Sequence, residues 1–307
     1  LKFAFRDLTP FDRARHIADL VATGKSLDGL MGAWHENHLV GAMFSQISAG
    51  RTAFVRLPQL LDDEPLSTAL RLFSETWNFL SHHHVLLAQT LLPSAGSEEQ
   101  AMLRRARLQF LANLFYLIAP KDVFPNDIPP TKLDFEPYRA SAHTDWLQLF
   151  AATQQKTLDC ANLNDPRTPN EILTGFRAIG TFHPNHWQLA RHNGRPLGCV
   201  LLADHPRLDT MELLYLGLIP NARGQGYGRQ LVRRAQWLAQ CTGRGRLVAA
   251  VDAANTPAVQ TYTATGFQTW QRRELFVRRL SRRPIGTHRL NSFSTRGMQP
   301  NPKIRIA

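Results

Sequence analysis

Residues 223–228 read Arg-Gly-Gln-Gly-Tyr-Gly, three glycines at alternate positions ahead of an amphipathic run. A stretch of this kind at a helix start seats a phosphate. The first backbone N–H groups of a helix have no partner within it, and the helix dipole adds positive potential there. Glycines are needed because side chains would hold the phosphates off. Arg223 and Arg229 can add charge-assisted contacts. Spacing excludes two other phosphate loops. A Walker loop needs a lysine after its last glycine, but Arg229 and Gln230 follow Gly228. A dinucleotide fingerprint needs its third glycine where Arg229 stands. It also needs an acid about 20 positions further on, where Val248 and Ala249 stand. What remains is Arg-x-x-Gly-x-Gly, a pyrophosphate seat built from Arg223, Gly224, Gln225, Gly226, Tyr227, Gly228 and Arg229.

Two further stretches bracket this loop. Ahead of it, the apolar run Met211–Ile219 ends at Pro220 and carries a single acid, Glu212. Behind it, Asn255, Ala258, Tyr262, Gly266 and Phe267 follow an N-x2-A-x3-Y-x3-G-F pattern. Leu197-Gly198 comes after a polar turn. With these motifs in this order, residues 133–280 resemble the GNAT superfamily of N-acetyltransferases. The resemblance implies a mixed α/β fold, acetyl-CoA as cosubstrate, no metal, and a primary amine of a small molecule or peptide as acceptor. It implies that Leu216, Gly217 and Leu218 pair with the pantetheine arm, with the Leu218 N–H on the thioester oxygen. It makes Tyr262 the acid for the departing thiolate, since a phenol has a pKa of about 10, above that of a thiol. Glu212 is the candidate base, with burial expected to raise its pKa. Asn255 either contacts the pantetheine arm or caps its helix, and Tyr215 is read as core. A non-catalytic acyl-CoA sensor or scaffold is the competing reading; it would keep the loop without depending on Tyr262.

Periodicity supplies the elements that must position these groups. A strand is expected at Asp134–Ala140, and helices at Thr144–Gln155 and Asn170–Ala178 with Thr144 and Asn170 as N-caps. Strands His186–His192 and Pro196–Asp204 flank Asn193-Gly194, a strong hairpin signal. A helix is expected at Arg229–Gln240, with Leu231, Val232, Ala235, Leu238 and Ala239 on one face. Strand Leu247–Val251 and a short helix with Thr256 as cap and Pro257 at its first position follow. Phe267–Trp270 and Glu274–Leu280 read as two closing strands.

The N-terminal half repeats this order: Leu39–Met43, strand Thr52–Leu57, helix Leu66–Phe79, strand Val85–Leu92, helix Ser97–Arg107, strand Leu108–Ile118. It reads as a diverged second copy of the fold, with domains at 1–118 and 133–280 and a proline-broken linker at 119–132. Its counterpart of the glycine loop carries Asp62, Asp63 and Glu64 and no glycine. Acids there satisfy the helix dipole themselves and repel a pyrophosphate, so this copy is expected to bind no coenzyme.

The net charge is +12, yet residues 272–307 hold ten basic side chains against one acid, Glu274. The body is therefore close to neutral, which argues against a nucleic-acid-binding fold. The tail, 281–307, is expected to be disordered, with contact to an acidic partner as the alternative. Three scattered cysteines form no CxxC pair, so no disulfide framework or zinc site is expected and a cytoplasmic setting fits. His82-His83-His84 lacks ligand spacing. His183 is a weak candidate for the acceptor pocket, and Cys160 a nucleophile only beside a histidine. The start at Leu1, with no initiator methionine and no signal-like apolar core, is expected of a trimmed chain or of a sequence that begins mid-gene.

Overall fold

The computed structural model describes residues 2–22, 26–281 and 303–306. In chain order, the first half has α1 (Pro10–Ala22), β1 (Leu30–His35), β2 (His38–Ser48), β3 (Thr52–Val55), β4 (Gln59–Leu60), α2 (Leu66–His82), β5 (Leu87–Leu92), α3 (Ser97–Arg105) and β6 (Gln109–Pro120). The second half has β7 (Asp134–Pro137), α4 (His143–Gln154), α5 (Pro169–Arg177), β8 (Trp187–His192), β9 (Arg195–His205), β10 (Thr210–Leu218), α6 (Tyr227–Cys241), β11 (Arg246–Asp252), α7 (Thr256–Thr263) and β12 (Gln268–Arg279), and Lys303–Ile306 form β13.

Contacts group the described residues into two compact units. The first lies within Leu1–Leu91, Ala95–Phe110 and Phe276–Ala307, the second within Leu92–Ser94 and Leu111–Leu275. Each unit thus takes a closing strand from the other half of the sequence. Most of β6, the last strand of the first half, pairs antiparallel with β11 of the second unit, Leu114 opposite Asp252 and Pro120 opposite Arg246. The end of β12 belongs to the first unit, where the Leu280 N–H donates to the Leu86 carbonyl at 2.8 Å.

In the first unit the strand order is β13-β1-β2-β3-β5, with β4 on β2. α2 covers one face because Leu72, Phe73, Thr76 and Leu80 recur at helical spacing and are buried. The other face is closed by Ala4 and Phe5 against Leu30, Ala42 and Phe44. The tail was expected to be unstructured, yet its last described residues form β13, with Met31 opposite Ile306 and Trp34 opposite Lys303. Unsatisfied edge groups on β1 account for the pairing. The rest of the tail's basic residues, 282–302, lie outside the described residues.

The second unit's sheet runs β12-β6-β11-β10-β9-β8-β7. One face buries Val200, Leu202, Met211, Leu213, Leu247, Ala249 and Val251 against Val232, Ala235 and Ala239 of α6 and Tyr262 of α7. The other buries Trp187, Leu189, Cys199 and Leu201 against Trp146 and Phe150 of α4 and Ile172 and Leu173 of α5. Each buried Val, Leu or Phe contributes ~1.5–3 kcal/mol. The proline-rich segment is packed on this unit: Phe124 is buried and the Lys121 N–H donates to the Gly245 carbonyl.

The structure corrects several local readings. α5 is capped by Thr168, whose hydroxyl accepts from the Glu171 N–H while Glu171 reaches back to the Thr168 N–H. Asn170 is therefore inside the helix. α4 starts at His143 after Ala142, so Thr144 is no cap. α7 is capped by Asn255, not Thr256, through the Ala258 N–H at 3.3 Å. The two closing strands are one, β12, because the charged Gln271–Arg273 break lies on a strand with an exposed side.

Candidate functional site

The site lies in the second unit, where two neighbouring strands part. β10 pairs in parallel with β11 over Thr210–Leu213 only, ending at Leu213 opposite Ala249. β10 nevertheless runs on to Leu218 and β11 to Asp252. A register irregularity between Leu213 and Tyr215 bends β10 at this point, as an extra residue in one strand does. β9 stays paired with β10 to its end, Leu218 opposite Gly198, and the Ile219 N–H donates to the Leu197 carbonyl at 2.9 Å. By antiparallel alternation, Gly217 and Tyr215 bond to β9, while both backbone groups of Leu216 and the N–H of Leu218 face the fork, the Leu218 carbonyl accepting from Arg223 Nε at 3.1 Å. Of the expected triplet, Leu216 and Leu218 present their backbones to the fork and Gly217 does not. Gly217 instead leaves room for the Tyr215 ring, since a Cβ there would lie 2.6 Å from the Tyr215 hydroxyl.

Beyond the fork, Gly224 (φ +76°) and Gly226 (φ +81°) turn the chain into α6. Both φ values are in the left-handed region that favours glycine. A Cβ on either would meet no atom within 4 Å. These glycines therefore serve conformation and open space, not packing. Gly226 is the N-cap and makes no side-chain cap, so the first amides of α6 remain available. Arg229 is exposed on the first turn. Gln225 Nε2 donates to the Asn221 carbonyl, and Tyr227 shares a hydrogen bond with His192 at 3.2 Å.

Arg223 was expected to add charge to this seat, and its side chain is placed elsewhere. Its guanidinium donates to the carbonyls of Leu218, Lys156, Thr153 and Gln155. These include the unpaired carbonyls at the C-terminus of α4, which a cation satisfies well. Arg223 thereby ties α4 to the end of β10.

Tyr262 is buried on α7 against Phe267, ring centroids 5.2 Å apart. Burial, and then the Asp159 charge, raise its phenol above the ordinary 10.0. The phenol stays protonated at any ordinary pH. It is a weaker acid than a thiol. Tyr215 is core, its ring 4.8 Å from Phe150 and its hydroxyl on Thr153 at 2.9 Å.

Glu212 sits on β10 just before the fork, on the same face as Tyr215. Its Oε2 lies 2.8 Å from His205 Nε2. The hydrogen bond to Glu212 raises His205 above its ordinary 6.5, against the opposing effect of burial. Sequence reasoning missed His205. Only the β9–β10 register, with Thr210 opposite His205 and Glu212 opposite Ala203, makes it a diagonal neighbour of Glu212.

Sequence reasoning also missed a pair of acids at the open end of the fork. Asp159 Oδ1 accepts from the Asp252 N–H at 2.9 Å, and Asp252 Oδ2 accepts from the Cys160 N–H at 3.1 Å. This reciprocal clasp holds the α4–α5 connection to the end of β11. Burial, then the charges of Asp159 and Asp252, push the Cys160 thiol up to about 12, so it carries no thiolate. His183 packs on His186 at 5.0 Å. His82 Nδ1 bonds to the Asn78 carbonyl.

Residues 149–267 match the Acetyltransferase (GNAT) family. A mycothiol acetyltransferase from Jonesia denitrificans is 35% identical over 99 residues, and the matched stretch spans 31% of this chain and 32% of that protein. A GCN5-related N-acetyltransferase from Sphaerobacter thermophilus superposes with a TM-score of 0.60 at 13% identity, covering 89% of this chain and 86% of the other. A tandem GNAT protein from the clavulanic acid biosynthesis pathway superposes with a TM-score of 0.51 at 10% identity, covering 86% and 87%. The chain carries a GNAT acetyltransferase domain at residues 149–267. Its mixed α/β fold is the GNAT fold, extended over most of the chain as in a tandem GNAT protein. Among the described residues, no helix is long and apolar enough to cross a membrane.

Proposed function

We propose that this protein moves an acetyl group from acetyl-CoA to a primary amine of a small molecule or peptide, by direct attack in a ternary complex. The carrying observation is the fork of β10 and β11 in line with the open glycine turn ahead of α6. The pyrophosphate sits on the amides following Gly224 and Gly226, and Arg229 adds charge. The pantetheine arm pairs with Leu216 and Leu218 as an added strand. The Leu218 N–H polarises the thioester oxygen. Glu212 accepts the amine proton. Tyr262 donates its phenolic hydrogen bond to the departing sulfur. Asn255 acts through its helix cap.

The two halves are diverged repeats, and only the second takes the coenzyme. In the first, the Glu64 carboxylate lies at the start of α2, accepting from Thr68 Oγ1 at 2.8 Å and pairing with His35 at 2.9 Å. An internal anion therefore stands where the second copy has open amides.

The test is thiol release from acetyl-CoA across an amine panel, with calorimetry of coenzyme binding alongside. Amine-dependent release and one coenzyme per chain are expected. Tight binding without release for any amine overturns the enzyme reading in favour of a sensor. Two coenzymes per chain overturn the repeat assignment.

A further inference from the structure

We infer that Glu212 and His205 work as a single proton-accepting pair, in which Glu212 takes the amine proton and His205 shares it. This rests on the acetyl-transfer reading. A solitary carboxylate has a pKa of about 4.3, far below an amine's, and makes a weak base near neutrality. A catalytic base works best when it titrates near the operating pH. Sequence pointed to Glu212 alone, and the structure joins it to an imidazole.

The geometry fixes both members. Glu212 stands on β10 with its side chain 38% exposed, beside the strand fork, and His205 lies behind it with its side chain 21% exposed. One carboxylate oxygen, Oε2, is taken by His205 Nε2. Oε1 remains for the acceptor. The imidazole is backed by Gly180, in the left-handed region at φ +56°, where a Cβ would meet His205 Cε1 at 2.8 Å and the Asp204 carbonyl at 2.7 Å. Only glycine at 180 leaves the ring its place.

The other charged groups around the pair are accounted for. Asp204 of β9 is held by Arg244. Its charge adds to that of Glu212 in favouring protonated His205. Arg246 of β11 is spent on the Thr210 hydroxyl and the Leu208 carbonyl. From β6, Tyr116 faces the same side of the sheet. Burial raises its phenol first, the Arg273 charge from β12 lowers it, and Glu212 raises it. No lysine or arginine among the described residues forms an ion pair with Glu212, so the imidazole is its partner.

In the step itself, the amine nitrogen bonds to the thioester carbon and loses a proton to Glu212 Oε1. Neutral His205 donates its Nε2–H to Oε2, so the proton passes from Oε1 through solvent to His205 Nδ1, leaving a carboxylate–imidazolium pair. The carbon–sulfur electron pair leaves with the sulfur, which hydrogen-bonds to Tyr262 and takes its proton from water. The pair returns its own proton to solvent.

The experiment compares kcat/KM against pH for the wild type, His205→Gln and Glu212→Gln, with acetyl-CoA and an amine that the wild type accepts. In the wild type, activity should fall on the acid side with a midpoint above about 6.5. In His205→Gln that midpoint should move down by about two pH units towards the carboxylate range. Glu212→Gln should lose the limb and ~100-fold in rate. NMR titration of the His205 ring supplies a readout that needs no turnover: its midpoint should drop in Glu212→Gln. A slower His205→Gln enzyme with an unmoved limb overturns the inference and leaves acetyl transfer standing. A His205 ring that titrates alike in wild type and Glu212→Gln overturns it as well. A wild type that turns over no amine removes the acetyl-transfer reading, and this inference falls with it.

Discussion

The two units begin equivalent helices in opposite ways. α6 starts from a turn of left-handed glycines with nothing in front of them. α2 starts from Pro65 with Glu64, only 9% exposed in its side chain, against the helix end. The same physical need is met in both, because unpaired N–H groups and a positive dipole end require negative charge. One unit supplies the anion from its own chain and the other leaves the place open. A carboxylate can serve such a helix end as a phosphate would.

The largest effect that can break this comparison is at the open turn. Gly226→Val forces a β-branched residue to φ +81° and puts methyl groups where the phosphates approach. Coenzyme affinity should fall ~100-fold or more, read by calorimetry. An unchanged affinity would remove the glycine turn from the site. Next, Tyr262→Phe should lower kcat by ~10- to 100-fold with little change in the KM for acetyl-CoA, because a hydrogen bond made to the leaving sulfur is lost. Arg223→Ala leaves four carbonyls without their donor. It should cost ~2–3 kcal/mol in urea unfolding. If it weakened coenzyme binding with no loss of stability, its side chain would belong to the phosphate seat after all.

Smaller still, Glu64→Ala should cost about 1 kcal/mol and leave binding at one coenzyme per chain, since the first unit also lacks the glycines. A second binding event in this variant would show that Glu64 alone closes that unit. The smallest effect is in pH. His205 titrates above 6.5 in the fold, so its pair with Glu212 stabilises below about pH 6.5 and that contribution drains away as pH rises through the raised value. Solvent screening keeps it slight. Thermal melts across this range should show the trend in the wild type and not in Glu212→Gln.

Much of the second unit was legible in its residues. Apolar periodicity places α6 and β11 within a residue or two of their ends, and Asn193 and Gly194 form the left-handed turn expected of them. The glycine loop and Tyr262 announced themselves by type and spacing. The cap of α5 was misplaced because Thr168 lies before the proline that opens the helix. α1 and β1 passed unread because their patterns are short or mixed. The exchange of closing strands was invisible, since no short run of residues in β6 or β12 specifies which neighbour it pairs with.

Local residue order by itself determined the glycine turn, the helix that follows and the acids ahead of α2. These are properties of a few adjacent residues, where φ preference, charge and helix dipole act over a single turn. Tertiary structure alone decided which backbones face the fork, where Arg223 spends its charge, and that Glu212 has an imidazole beside it. Those depend on strand register and on one extra residue in β10, and register is set by the packing of whole faces rather than by any short run of sequence.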